Sequence, residues 1–198
     1  MHDAYLKTDQ NVFLRQDTLY QLQYTFINAQ VINNTVRNRN NYITLNKGSL
    51  HGVKPDMGII THNGVIGIIT DVSNNFSSAM SLLHSDIKIS AKIKRNNQMG
   101  TVVWEGNNYR KATMMYIPTH LQLIKGDTII TSGFSHIFPP GVIIGTIDIF
   151  EIRGGDNFFT ITLDLACDFN NLNYVHIVKN LFREEKIELE ARSQSIPQ

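Results

Sequence analysis

Apolar residues recur every seven positions at the start of the chain: Tyr5, Val12, Leu19 and Phe26, with Leu22 between the last two. Leu6, Phe13, Tyr20 and Ile27 follow one step on. This spacing predicts a helix from Tyr5 to Phe26. Its seam of Tyr5, Val12, Leu19, Leu22 and Phe26 serves either for oligomerisation, as the stub of a coiled coil, or for packing on its own domain. From Ala29 the period becomes two. Short apolar runs at Val31-Ile32, Tyr42–Leu45 and Phe76–Leu83 are set apart by turn residues such as Asn46-Lys47-Gly48. Ile87, Ile89, Ala91 and Ile93 alternate with Lys88, Ser90, Lys92 and Lys94, which predicts a strand with one dry and one wet face. Further strands are expected near Gly100–Trp104, Ala112–Ile117, Thr128–Thr131, Phe159–Cys167 and Tyr174–Val178. Between Ile147-Asp148-Ile149 and Phe150-Glu151-Ile152 the apolar parity flips, as at a β-bulge. After Asn180 the residues are mostly charged and predict a frayed helix or a flexible tail.

One strand-turn unit occurs twice. Lys54-Pro55-Asp56-Met57-Gly58 leads into Ile59-Ile60-Thr61, a turn at Asn63-Gly64 and the strand Val65–Ile69. Lys125-Gly126-Asp127 likewise leads into Ile129-Ile130-Thr131, a turn at Gly133 and the strand Ile143–Ile147. Two related β-units are the economical reading. Many short strands with closely spaced turns argue for small barrels or a sandwich. The expected fold is all-β: two small β-barrels with a short N-terminal helix. Residues 1–28 form the helical stub, 29–84 plus 172–180 the first barrel, 85–171 the second, and 181–198 a flexible charged tail. The closing strand Tyr174–Val178 is too short to be a domain and is expected to return to the first barrel.

The second unit carries an inserted loop, Phe134 to Gly141, in which Phe134, Ile137 and Phe138 are apolar although the strand pattern has stopped. Pro139 and Pro140 stiffen it, so less entropy is lost when a partner docks. Phe134, Ile137, Phe138, Pro139 and Pro140 are therefore a candidate protein-interaction site, with aromatic anchors of the kind that dominate interfaces. The alternative is that these side chains plug the open end of the second barrel.

Composition narrows the function classes. The chain has 198 residues, 42% hydrophobic and 18% charged, with a formal net charge of +1. No global field attracts a phosphate backbone, so nucleic acid is not an expected partner. Asn pairs such as Asn33-Asn34, Asn74-Asn75 and Asn107-Asn108 punctuate the strands as turns. Cys167 is the lone cysteine, which excludes an intrachain disulfide. With no signal peptide or membrane-spanning run, the sequence reads either as a soluble cytosolic protein or as a fragment separated from its targeting segment.

Catalytic constellations are weak. Paired β-barrels occur in chymotrypsin-like proteases, yet no nucleophile motif surrounds any serine, and Ser132 reads as a turn residue. His84-Ser85-Asp86 holds three triad residue types, but neighbours in an extended segment point apart. Cys167 and His176 form a nominal dyad, although Cys167 shares its face with Ile161 and Leu165, as a small hydrophobe would. The histidines show no zinc spacing. Lys92, Lys94 and Arg95 read as the wet face of a strand, with contact to anionic lipid or an acidic partner as the other reading. No catalytic residue, metal or cofactor is expected.

Asn46-Lys47-Gly48-Ser49, Gly52-Val53-Lys54-Pro55-Asp56-Met57-Gly58 and Gly64-Val65-Ile66-Gly67 together resemble the first β-domain of the MreC family of rod-shape-determining proteins. Gly126-Asp127, Thr131-Ser132-Gly133 and Phe138-Pro139-Pro140-Gly141-Val142-Ile143-Ile144-Gly145 resemble the second. The likeness runs from about Ala29 to Leu181, and its Asn-rich wording is similar to the version found in Bacteroidetes-type bacteria. It implies two β-barrels on the periplasmic side of the inner membrane, anchored through a segment absent from this chain. It also implies a non-catalytic scaffold of the cell-elongation, peptidoglycan-synthesising machinery. The implied partners are a class B penicillin-binding protein, MreD, other elongation proteins and further copies of itself. A β-barrel that binds, or binds and hydrolyses, a small molecule or glycan is the alternative.

Overall fold

The structure, a computed structural model, describes residues 5–7, 13–16, 22–152 and 157–194. The strands are β1 (Tyr5–Lys7), β2 (Phe13–Gln16), β3 (Leu22–Asn34), β4 (Asn40–Leu45) and β5 (Gly58–Ile60). Next come β6 (Val65–Val72), β7 (Ser77–His84), β8 (Ile89–Ile93), β9 (Met99–Val103) and β10 (Lys111–Pro118). The last are β11 (Thr128–Thr131), β12 (Ile143–Ile152), β13 (Phe158–Leu165) and β14 (Tyr174–Asn180), followed by helix α1 (Arg183–Gln194). Among the described residues no helix is long and apolar enough to cross a membrane.

The strands close into two six-stranded barrels, and closure leaves few open edges. The first runs β3-β14-β5-β6-β7-β4 and is sealed by β4 against the end of β3, where Val31 faces Leu45. Its β14 arrives from beyond the second barrel and pairs with β3 from Tyr174↔Gln30 to Asn180↔Tyr24, and with β5 on its other edge. The second runs β10-β13-β12-β11-β8-β9. Buried Ile43, Leu45, Ile59 and Ile69 fill the first, and Ile93, Ile129, Ile161 and Leu163 the second. One continuous apolar core joins them.

The alternation at Ile87, Ile89, Ala91 and Ile93 is real, and all four are buried. The expected bulge lies at Asp148, where the β12–β13 register shifts between Ile147 and Ile149. The repeated unit is also structural. In β5–β6 Ile59 faces Gly67, and in β11–β12 Ile129 faces Gly145, each with a register shift one residue later. Each glycine lets the next strand approach: a Cβ on Gly67 would strike the carbonyl of Met80, and one on Gly145 that of Asp164. The preceding turns also correspond, with Asp56 at φ 63° where Gly126 stands at φ 90°.

The N-terminal helix is not what the described residues form. Tyr5, Leu22 and Phe26 all lie in strands, while Val12 and Leu19 fall outside the described residues. The reason is that both faces of β3 are covered. Tyr24 and Phe26 are buried with Val178 on one face, and Ile27, Ala29 and Val31 join the main core from the other. A strand that is apolar on both faces loses its alternation and mimics a helical seam. The charged segment after Asn180 forms α1.

Candidate functional site

The loop between β11 and β12 is held from within. Thr131 Oγ1 donates to the carbonyl of Pro139 at 2.6 Å and accepts from the Val142 N–H at 2.9 Å. Gly133 and Gly141 turn the chain at φ 86° and 91°, a region that favours glycine. Ser132 Oγ lies 2.8 Å from Ser90 Oγ and accepts from the Phe134 N–H. This is a turn residue's bonding, not a nucleophile's.

The five candidate interaction residues part company here. Phe138 is 1% exposed and lies against Gly58 at the start of β5. Pro139 is also buried, and Ile137 is half-buried against the main core. Phe138 therefore contacts the first barrel from the second, so neither a partner nor its own barrel's mouth receives it. Phe134, 72% exposed, and Pro140 stay open to solvent.

Helix α1 closes over the outer side of this junction. Arg183 pairs with Asp56 at 3.0 Å, Lys54 with Glu184 at 2.8 Å, and His136 Nε2 reaches Glu190 at 3.2 Å. Asn180 Nδ2 donates to the His136 carbonyl. Beneath lies a groove of about 140 Å³ lined by Pro55, Met57, Ile137 and Val178 among others. Small-molecule sites usually measure roughly 300–1,000 Å³, so this groove is a packing seam.

The nominal catalytic groups are engaged in local bonding. Contrary to the expectation that they point apart, Asp86 reaches both of its neighbours, with Oδ1 3.3 Å from Ser85 Oγ and Oδ2 4.0 Å from His84 Nδ1. Ser85 Oγ lies closer to Asn40 Oδ1, at 2.8 Å, and the His84 nitrogens are taken by the Asp86 N–H and by Tyr42 Oη at 3.1 Å, not by Ser85. Cys167 Sγ contacts Thr61 Oγ1 at 3.5 Å, and burial pushes its thiol up, the Thr61 hydrogen bond opposing. His176 bonds Asn28 Oδ1 at 2.7 Å, and burial, then the nearby His62, pushes its imidazole down. A thiolate–imidazolium pair needs both shifts reversed. Arg95 forks onto Asp127 at 2.8–3.1 Å, which removes it from the basic face.

Sequence reasoning missed the exposed apolar set at one end of the second barrel, with Phe150 and Ile152 on one face of the sheet and Ile149, Tyr116 and Phe158 on the other. The parity flip at Asp148 was its signal, because a bulge redirects every side chain beyond it.

The profile of the family described as rod shape-determining protein MreC, barrel core, matches residues 31–179. The cell shape-determining protein MreC of Listeria monocytogenes is 31% identical over 159 residues, 79% of this chain. The match covers 54% of that relative, so the chain spans about half its length. The solved structure of the Listeria MreC superposes with a TM-score of 0.74 at 31% identity, over 79% of this chain and 76% of that one. A structure described as a complex between a penicillin-binding protein and MreC from Helicobacter pylori shares the fold, with a TM-score of 0.63 at 19% identity over 80% of this chain and 100% of that one. By profile, by identity and by barrel topology, the chain belongs to the MreC family of rod shape-determining proteins.

Proposed function

We infer that this chain is a non-catalytic scaffold of the cell-elongation machinery, holding envelope proteins on the outer surfaces of two fixed barrels. The observation that carries this is the junction at Phe138 and Gly58. A shared core and a buried aromatic ring lock the two barrels together, which suits a platform whose binding surfaces must keep their spacing. The relatives are named for cell shape, and the side chains with nucleophilic potential are engaged in packing and turns.

The proposed partner is a class B penicillin-binding protein, by analogy with the Helicobacter pylori complex. MreD and further copies of the chain are proposed as well, on the periplasmic side of the inner membrane, with anchoring through a segment outside residues 1–198. The proposed units are 29–84 with 172–180, and 85–171. Phe134, together with the half-buried Ile137 and the exposed Pro140, is the proposed contact on the junction loop.

Surface plasmon resonance between this chain and the ectodomain of a class B penicillin-binding protein from the same bacterium tests the reading. Saturable binding, weakened by Phe134→Ser, is expected. No binding by either this chain or its full-length, membrane-anchored form rejects it.

A further inference from the structure

Helix α1 is fastened to the barrels by charge and not by packing. None of its residues from Arg183 to Ser193 is buried, and its apolar Ile187 and Leu189 are 38% and 60% exposed. What it turns to the junction is Arg183, Glu184 and Glu190, paired with Asp56, Lys54 and His136. Asp56, Lys54, Glu184 and Glu190 are all exposed. Such pairs contribute little, and salt screens them. A free helix of 12 residues is itself marginal in water.

The fit beneath α1 is incomplete. His136 Nδ1 and Arg183 Nε are buried at this seam with no hydrogen-bond partner among the described residues, and polar atoms left so are costly. The groove of about 140 Å³ offers apolar Met57, Ile137 and Val178, yet α1 brings no buried apolar side chain to it. Apart from those of α1, the titratable residues lining the groove are Lys54, Lys179, His136 and Asp56, an excess of base. Glu184 and Glu190 answer that excess. Lys54 first, then Arg183 and Lys179, hold the Glu184 carboxyl below the usual carboxylate range.

We propose that α1 is a displaceable strap over a docking groove, and that the groove receives an acidic segment of a different protein. The incoming segment sets carboxylates against Lys54 and Lys179 and an apolar side chain against Met57, Ile137 and Val178. It gains the apolar burial that α1 forgoes, and release of α1 returns Arg183 Nε to water. The α1 of a second copy fits less well. It makes the same contacts but lacks the tether that holds the chain's own α1 at high effective concentration. The groove shares Ile137 with the contact proposed on the junction loop but does not include Phe134, and the two sites are tested with different ligands.

The test compares the intact chain with a variant carrying Glu184→Lys and Glu190→Lys, using two synthetic dodecapeptides. One has leucine at every fourth position among glutamates; the other has lysine in place of each glutamate. The reversed charges repel Lys54 and His136, so amide exchange across 186–194 should quicken. The acidic peptide should bind this released variant at least about tenfold more tightly than the intact chain and slow exchange at 54–58 and 136–138. The lysine peptide should bind neither. If the charge reversal disturbs the far-ultraviolet spectrum, Glu184→Gln with Glu190→Gln removes the pairs without adding charge and is read in its place. Equal binding to the intact and released chains, no binding to either, equal binding of the two peptides, or protection outside the groove overturns the proposal. A dimer of the intact chain that the charge reversal dissolves, seen in sedimentation, overturns it too, because α1 would then be exchanged between copies.

Discussion

The ring of Phe138 lies so close to Gly58 that a methyl group there would stand 2.5 Å from Phe138 Cε1. Gly58→Ala should therefore push the ring out of its seat and cost about 1–3 kcal/mol, as overpacking does. Phe138→Leu should cost less in the Gly58→Ala background than alone, since the smaller side chain leaves room for the methyl group. Urea unfolding of the two single variants and the double variant measures this. Strict additivity would mean that the two residues do not meet.

Two phenylalanines four residues apart should behave in opposite ways. Phe138→Ser empties a buried seat and should cost about 3–5 kcal/mol. Phe134→Ser should change stability by less than about 0.5 kcal/mol, as exposed substitutions do, yet weaken partner binding. Thermal melts and the binding assay are read together. Marked destabilisation by Phe134→Ser with binding intact would remove that residue from the interaction surface.

The His176 imidazole is pushed down by burial and then by His62, so the folded protein favours its neutral form. The unfolded chain then binds the proton more readily. The contribution of His176 is fully present above the ordinary value of 6.5 and is lost as pH falls through the window below it. Tm should drop between pH 7 and pH 5, and more steeply than in His176→Gln. Identical slopes in the two proteins would contradict this account.

Lys111 bridges Asp148 and Asp164 at 2.6 Å each, and Lys125 reaches Asp148 at 2.9 Å. The hydrogen bonds from Lys111 and Lys125 hold the Asp148 carboxyl below its ordinary range. Its contribution is present above the unfolded value of 3.8 and is lost as acid titrates the folded group. Lys111→Met should lower Tm at pH 7, and the loss should shrink in high salt, where exposed charges are screened. A deficit unchanged between low and high salt would point to packing by the lysine stem.

Much of the architecture was legible because it was written locally. The alternation at Ile87–Ile93, the repeated Ile-Ile-Thr units and the parity flip at Asp148 each lie within one short segment. What escaped depends on distant partners. The strand at Leu22–Phe26 looked helical because Val178, more than 150 residues away, covers a face expected to be polar. Phe138 looked like an anchor for another protein because its seat is Gly58, and a residue without a side chain gives no sign of what rests on it.

The return of β14 to the first barrel also fixes an order in time. During synthesis, β3 to β7 leave the ribosome long before Tyr174–Asn180, so β3 and β5 each wait with an unpaired edge while the whole second barrel is made. The second barrel has all its strands first and can close first, as a unit nested within an unfinished one. The first barrel to be translated is then the last to be completed. Until it closes, the exposed edges of β3 and β5 are where a nascent chain would be caught by a chaperone or by another unfinished copy.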